Sequence, residues 1–169
     1  LELERTGNLP LLVIPGPIDP AYSDGLVGAL GHALRGEVVV VVADSGTEKR
    51  DLDGALERLA RIHPGRLALR RGMTETALHR LVAAADFALL LDDGATGTPA
   101  RASMRYGTLP IAPKSGATQE AIVDVEASLA SGTGILFSGT SSDDLFGAVQ
   151  RAVTAFAQPG WAKVQRRAM

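Results

Sequence analysis

The sequence predicts an α/β domain built on a doubly wound, parallel, six-stranded sheet with helices on both faces. Short apolar runs of strand length alternate with amphipathic stretches of helical length along the whole chain, as repeated strand–helix units do. The second apolar run, Val38 to Val42, is five consecutive valines, apolar and β-branched on both faces as a doubly covered strand requires. Proline, glycine and helix-capping residues fall at the junctions between runs.

Taken in order, Leu11 to Ile14 form the first strand, and Pro15-Gly16-Pro17 ends it, because fixed φ and missing N–H groups stop pairing. Asp19-Pro20 reads as an N-cap with proline at the first helical position. Leu26, Leu30 and Leu34, spaced i,i+4, then carry a helix to Arg35 that stops at Gly36. After the valine strand, Leu52, Leu56, Leu59 and Ala60 make the next helical stripe, closed by His63-Pro64-Gly65. Leu67 and Leu69 form a short strand ending at Gly72, and Thr74 caps a helix with Leu78, Leu81, Val82 and Ala85 on one face. Phe87 to Leu91 is a buried strand ending at Asp92-Asp93-Gly94. A helix of small residues around Pro99 to Arg105 leads to the strand Leu109 to Ala112. Pro113 to Ala117 reads as a loop, with helix from Thr118 onward, and Ile135-Leu136-Phe137 is the sixth strand. Ser141-Ser142-Asp143-Asp144 starts a helix carrying Leu145, Val149, Ala152, Val153 and Phe156. Gln158-Pro159-Gly160 breaks it before a last helical segment from Trp161 to Met169.

Residues 1–169 fit one domain with room for a proper core. With 17 basic and 19 acidic residues and no block of like charge, nothing predicts an electrostatic grip on nucleic acid or an anionic membrane. No apolar run approaches the ~20 residues needed to span a bilayer. The absence of cysteine removes disulfides, thiolate zinc sites and cysteine nucleophiles together, and fits a reducing, cytoplasmic compartment. The chain begins at Leu1 rather than Met, which predicts a piece of a longer polypeptide.

In such sheets ligands sit beyond the carboxyl ends of the strands, where strand order reverses. The loops after Ile14, Val42, Arg71, Leu91, Ala112 and Phe137 therefore hold the candidates. In Pro15 to Pro20, three prolines remove three donors and Asp19 adds a repelling charge, so a stiff turn is expected rather than a phosphate cradle. Asp44-Ser45-Gly46 stands where an acidic residue contacts a ribose or accepts a phosphoryl group, although helix capping is the commoner role. A receiver-type domain would also need acidic residues directly after the first strand and a Lys-Pro pair, and Pro113-Lys114 has the reverse order. Asp92 and Asp93 could bind a metal or do acid–base work, but neighbours on an extended chain point apart, which favours a solvated loop tip.

Lys114-Ser115-Gly116-Ala117-Thr118 is the best anion site in the sequence, joining backbone donors, a hydroxyl, a lysine and a helix dipole. The plain alternative is that Ser115 or Thr118 is only an N-cap. His32, His63 and His79 lack metal-ligand spacing. Trp161 is expected to anchor the last helix, and Arg101 and Arg105 to be solvated.

Ala85-Asp86, Met104 to Pro110, Ser115-Gly116, Gly132-Thr133-Gly134 with Phe137, and Trp161 with Val164-Gln165-Arg166 and Ala168-Met169 share an order and approximate spacing. Together they resemble the C-terminal half of bacterial glycogen and starch synthases. Those GT-B glycosyltransferases have two Rossmann-like domains and move glucose from a nucleotide-diphospho sugar onto an α-glucan. The resemblance implies a Rossmann-like, C-terminal GT-B half that holds the nucleotide sugar beside an N-terminal GT-B domain. It also implies weak nucleotide-diphosphate contacts at Lys114, Ser115, Gly116, Ala117 and Thr118, around the family's Thr-Gly-Gly loop. Gly72-Met73 replaces the family's Gly-Tyr, whose ring packs near the adenine.

The departures fall at the chemistry. The family's Ser-Arg-Leu-x-x-Gln-Lys-Gly loop supplies two cations for the diphosphate; here Pro17 takes the arginine's place and Tyr22 lies near the lysine's. The glutamate of its Phe-Glu-Pro-x-Gly-Leu segment falls on Gly94 or Ala95, with Asp93 the nearest carboxylate. The expectation is a degenerate domain with no catalytic residue, metal or cofactor, kept as an interaction module for a protein partner or an α-glucan. The alternative is the donor-binding half of a working ADP-glucose- or UDP-glucose-dependent glucosyltransferase. A third reading is a small-molecule sensor using the Ser115-Gly116 loop.

Overall fold

The protein is seen in a computed structural model that describes residues 9–46, 52–92 and 97–169. Strands β1 (Leu11–Pro15), β2 (Val39–Ala43), β3 (Leu67–Arg70), β4 (Phe87–Leu89), β5 (Leu109–Pro113) and β6 (Ile135–Phe137) form one sheet in the order β3-β2-β1-β4-β5-β6. All pairings are parallel, with Val13 facing Val41 on one side and Ala88 on the other. The helices are α1 (Ser23–Ala33), α2 (Asp53–Ile62), α3 (Glu75–Ala84), α4 (Thr98–Met104), α5 (Gly116–Ala121), α6 (Ser142–Phe156) and α7 (Trp161–Ala168). The chain winds outward to β3, returns across β1 and continues to β6, so strand order reverses between β1 and β4.

The period of two along each strand divides the core. One face carries Leu12, Ile14, Val40, Val42, Phe87 and Leu89 against Leu26 and Leu30 of α1, Leu56 of α2, Leu145 of α6 and Val164 of α7. The other carries Val13, Val39 and Val41 with Ala43, Ala68, Ala88 and Ala112, under Val82 of α3 and Ala100 of α4. Alanines on this second face let its short helices lie close to the sheet. On the first face Phe87 is the hub, with its ring centroid 4.9 Å from Trp161 and 6.5 Å from Phe156. Trp161 is buried there, as a packing anchor.

Several boundaries differ from the sequence reading. The first helix is preceded by a separate 3-10 turn, Pro20–Tyr22, capped by Asp19. The helix after β5 begins two residues before Thr118. Ser115 is its N-cap and Thr118 its third residue, each side chain bonding the other's backbone in a capping box. Strand β4 stops at Leu89, and the Leu91 carbonyl accepts from Asp19 N–H at 2.8 Å. Asp44 Oδ1 accepts from Gly46 N–H at 2.9 Å and closes a turn, and the N-cap position of the next described helix, α2, is Leu52.

Two of the motif residues hold the frame. Asp86 ties the start of β1, accepting from Leu11 N–H at 2.8 Å while its own N–H donates to the Leu11 carbonyl at 2.9 Å. Thr108 is fully buried, and its hydroxyl donates to the Val82 carbonyl at 2.7 Å, beside that of Ala85 at 3.1 Å, at the end of α3. Thr108→Val keeps the shape and removes the donor, so it should cost about 1–3 kcal/mol. Equilibrium urea unfolding measures it, and an unchanged midpoint would mean that the two carbonyls find other donors.

Candidate functional site

The candidate residues lie along the carboxyl ends of the strands, around the reversal between β1 and β4. In the loop after β1, Gly16 N–H donates to the Ala43 carbonyl at 2.9 Å and Asp19 N–H to that of Leu91. Pro15, Pro17 and Pro20 have no N–H, and the Asp19 carboxylate accepts from Ala21 N–H at 2.8 Å. The loop thus places a carboxylate, and commits two of its three N–H groups, where an anion would need free donors.

Tyr22 follows this loop, and its ring stands edge-on to Phe137 at the end of β6, with centroids 6.2 Å apart. Burial raises the phenol above its ordinary value of 10.0, and the Asp19 charge adds to the shift. A raised phenol pKa stabilises the fold while the group is protonated. The contribution is therefore complete below about pH 10 and is lost as pH rises through the folded-state value. Tyr22→Phe should flatten the alkaline fall of the unfolding midpoint, and an identical fall in the variant would assign it to other groups.

The loop after β5 is organised by its own capping. Lys114 N–H donates to the Phe137 carbonyl at 2.7 Å, and Ser115 N–H to the Thr118 hydroxyl at 2.8 Å. Thr118 N–H donates to the Ser115 hydroxyl at 3.3 Å, and the Thr118 hydroxyl to the Pro113 carbonyl at 2.6 Å. Thr118 is buried, whereas Lys114 and Gly116 are exposed. A Cβ at Gly116 would meet no atom within 4 Å. Of the five residues, Ser115 and Thr118 hold the helix start, and Lys114 and Gly116 are exposed. Gly97, the N-cap of α4, lies against this turn, since a Cβ there would come within 2.8 Å of the Ala117 carbonyl.

Gly72 and Met73 sit elsewhere along the edge. Gly72 has φ +60 and donates to the Gly46 carbonyl at 3.0 Å, and Met73 donates to that of Asp44 at 3.1 Å. Met73 is half-buried against the second core face. Four inter-strand steps of ~4.8 Å put the ends of β3 and β5 roughly 19 Å apart. Only a ligand lying along the edge touches both candidate segments.

The sequence reading missed a buried ion pair beside Gly72. Asp53, 1% exposed, pairs with Arg71. The only signal was an acidic residue in the first turn of α2. Asp93, Gly94 and Ala95 lie outside the described residues, and Asp92 is half-buried. Among the described residues no group of three or more His, Asp or Glu side chains gathers to hold a metal, and no helix is long and apolar enough to cross a membrane. His79 is exposed, with Nδ1 3.2 Å from the Tyr106 hydroxyl.

No family model matches the chain. Among curated proteins it is 40% identical over 157 residues to glycogen synthase of Bordetella petrii, covering 87% of this chain and 30% of that one. It is 34% identical over 178 residues to glycogen synthase of Ralstonia nicotianae, covering all of this chain and 32% of the relative. The chain thus spans about a third of the length of the curated relatives it matches. Among solved structures, the catalytic domain of starch synthase IV from Arabidopsis thaliana, bound to ADP and acarbose, superposes with a TM-score of 0.79 at 18% identity. That match covers 99% of this chain and 36% of the other. The C-terminal domain of a group 1 glycosyl transferase from Francisella tularensis gives 0.62 at 19% identity over 94% of this chain and 85% of that one.

Six parallel strands in this order, superposing on starch synthase IV, give the chain the fold of the C-terminal Rossmann-like domain of GT-B glycosyltransferases. Within that class the chain is a glycogen/starch synthase-like C-terminal domain.

Proposed function

We propose that this domain does not transfer glucose and serves as an interaction module for a carbohydrate or a protein. The loop after β1 carries this reading. It combines three prolines, two committed N–H groups and a carboxylate, and its neighbour Tyr22 is a neutral ring packed on Phe137. A departing nucleoside diphosphate needs positive charge on its developing anion. Among the described residues at the strand ends, Arg71 is paired with buried Asp53, and Arg70 and Lys114 are exposed.

Calorimetric titration of the protein with ADP and with ADP-glucose tests the proposal. Binding no tighter than about 1 mM is expected, and micromolar affinity for either would overturn it.

A second reading, the donor-binding half of an ADP-glucose- or UDP-glucose-dependent glucosyltransferase, is favoured by one observation. The start of α5 still presents exposed Lys114 and Gly116, with free space above Gly116. Glucose transfer to glycogen by the full-length protein, abolished by Lys114→Ala, would establish this reading in place of the first.

A further inference from the structure

β3 closes one end of the sheet order β3-β2-β1-β4-β5-β6, so its outer edge pairs with no strand among the described residues. On its inner side the Arg66 and Arg70 carbonyls accept from Val40 and Asp44 N–H at 2.8 and 2.9 Å. The backbone groups of Leu67 and Leu69 therefore point away from β2. Leu67 N–H is taken, donating to the His63 carbonyl at 3.4 Å, and the Leu69 carbonyl accepts from Arg70 Nη1 at 3.1 Å. Among the described residues, the Leu67 carbonyl and Leu69 N–H have no partner.

That pair selects the direction of an incoming strand. Antiparallel partners exchange both bonds with a single residue, and neither Leu67 nor Leu69 has both groups open. In a parallel ladder one residue is bracketed. Its N–H donates to one carbonyl of the neighbouring strand, and its carbonyl accepts from the N–H two positions further on. The Leu67 carbonyl and Leu69 N–H form such a bracket. The β3 of a second copy, brought across a two-fold axis, would run antiparallel and is disfavoured.

A groove of about 550 Å³ lies beside this edge, between β3 and the end of α2. Ala60, Pro64 and Leu69 give it apolar walls, and Arg61 lines it as well. Arg61 and Arg58, three residues apart on α2, are exposed, and among the described residues neither side chain has an ion pair or hydrogen bond. Of the other charged groups in the lining, Arg71 is paired with Asp53, and Glu57 is half-buried and engaged. A residue bracketed opposite Ala68 points to that residue's face of the sheet, so its two neighbours overhang the groove on the face of Leu67 and Leu69. Glutamate fits there, with an apolar stem for Leu69 and Ala60 and a carboxylate for Arg61. We propose that this edge captures an extended acidic segment of a partner protein as a further, parallel strand, with glutamates at alternate positions. The proposal names the partner class for the interaction-module reading and rests on that reading.

Fluorescence polarisation with a labelled peptide of alternating glutamate and valine tests it. The peptide should bind with a Kd below about 1 mM, and hydrogen exchange at the Leu69 amide should slow on binding. The same peptide with lysine in place of glutamate should bind at least about tenfold more weakly. Arg58→Glu combined with Arg61→Glu, at two exposed positions, should reverse that preference with the thermal midpoint held. No binding of the acidic peptide, unslowed exchange at Leu69 or an unchanged preference in the double variant would each overturn the β3 edge. Micromolar ADP affinity in the nucleotide titration would instead overturn the interaction-module reading, so the two failures are told apart.

Discussion

Gly132→Ala is expected to lose about 2–6 kcal/mol of stability, combining backbone strain with overpacking against backbone atoms. Gly132 has φ +102, a conformation that side chains rarely adopt. A Cβ there would stand 2.3 Å from the Val125 Cα, 2.7 Å from its nitrogen and 2.8 Å from the Asp124 carbonyl oxygen. All three are backbone atoms. Thr133 N–H donates to the Val123 carbonyl at 2.7 Å, and Val125 N–H to that of Gly134 at 2.8 Å. From outside, Arg167 donates to the Gly132, Ala130 and Leu129 carbonyls at 2.7, 3.0 and 3.3 Å. Denaturant unfolding measures the loss, with Gly116→Ala as the control. Gly116 has open space and no positive φ, so its substitution should stay within ~0.5 kcal/mol. A Gly132→Ala protein as stable as that control would show that the segment rearranges freely.

On the non-catalytic reading proposed above, adding positive charge beside β1 should strengthen nucleotide binding. In Pro17→Arg combined with Tyr22→Lys, two cations return to the places where the family resemblance puts them. Pro17 is exposed and Tyr22 half-buried, so the fold should tolerate both changes. A hydrogen bond to a charged group contributes ~1.5–3 kcal/mol, less where water screens it. ADP should therefore bind roughly thirtyfold or more tightly than to the unmodified protein, with a gain that shrinks at high salt. Calorimetry at two ionic strengths reads both effects. Unchanged affinity in a folded double variant would mean that the missing charge is not what limits nucleotide binding here.

Much of the fold was legible because local signals agreed with one another. The valine run marked an interior strand, Pro15 to Pro17 marked its neighbour's end, and the i,i+4 leucines marked α1. Boundaries slipped where tertiary partners decide them. Ser115 rather than Thr118 caps α5, because the Thr118 hydroxyl turns back to the Pro113 carbonyl. Strand β4 ends early, where the Leu91 carbonyl finds Asp19. The arginine clamps were invisible for a similar reason. Arg151 and Arg167 bond to the Val125 and Gly132 carbonyls of an irregular segment, and no residue type in that segment announces them.

By itself the sequence determined the class of the domain, the alternation of strand and helix, and the absence of cysteine chemistry, because periodicity and composition are properties of the chain alone. Only the tertiary structure decided which candidates meet. It set Gly72-Met73 and Lys114 to Thr118 on strands separated by β2, β1 and β4, buried Asp53 against Arg71, and opened the groove beside β3. Strand order and side-chain pairing arise from contacts between residues far apart in sequence, which no local pattern encodes.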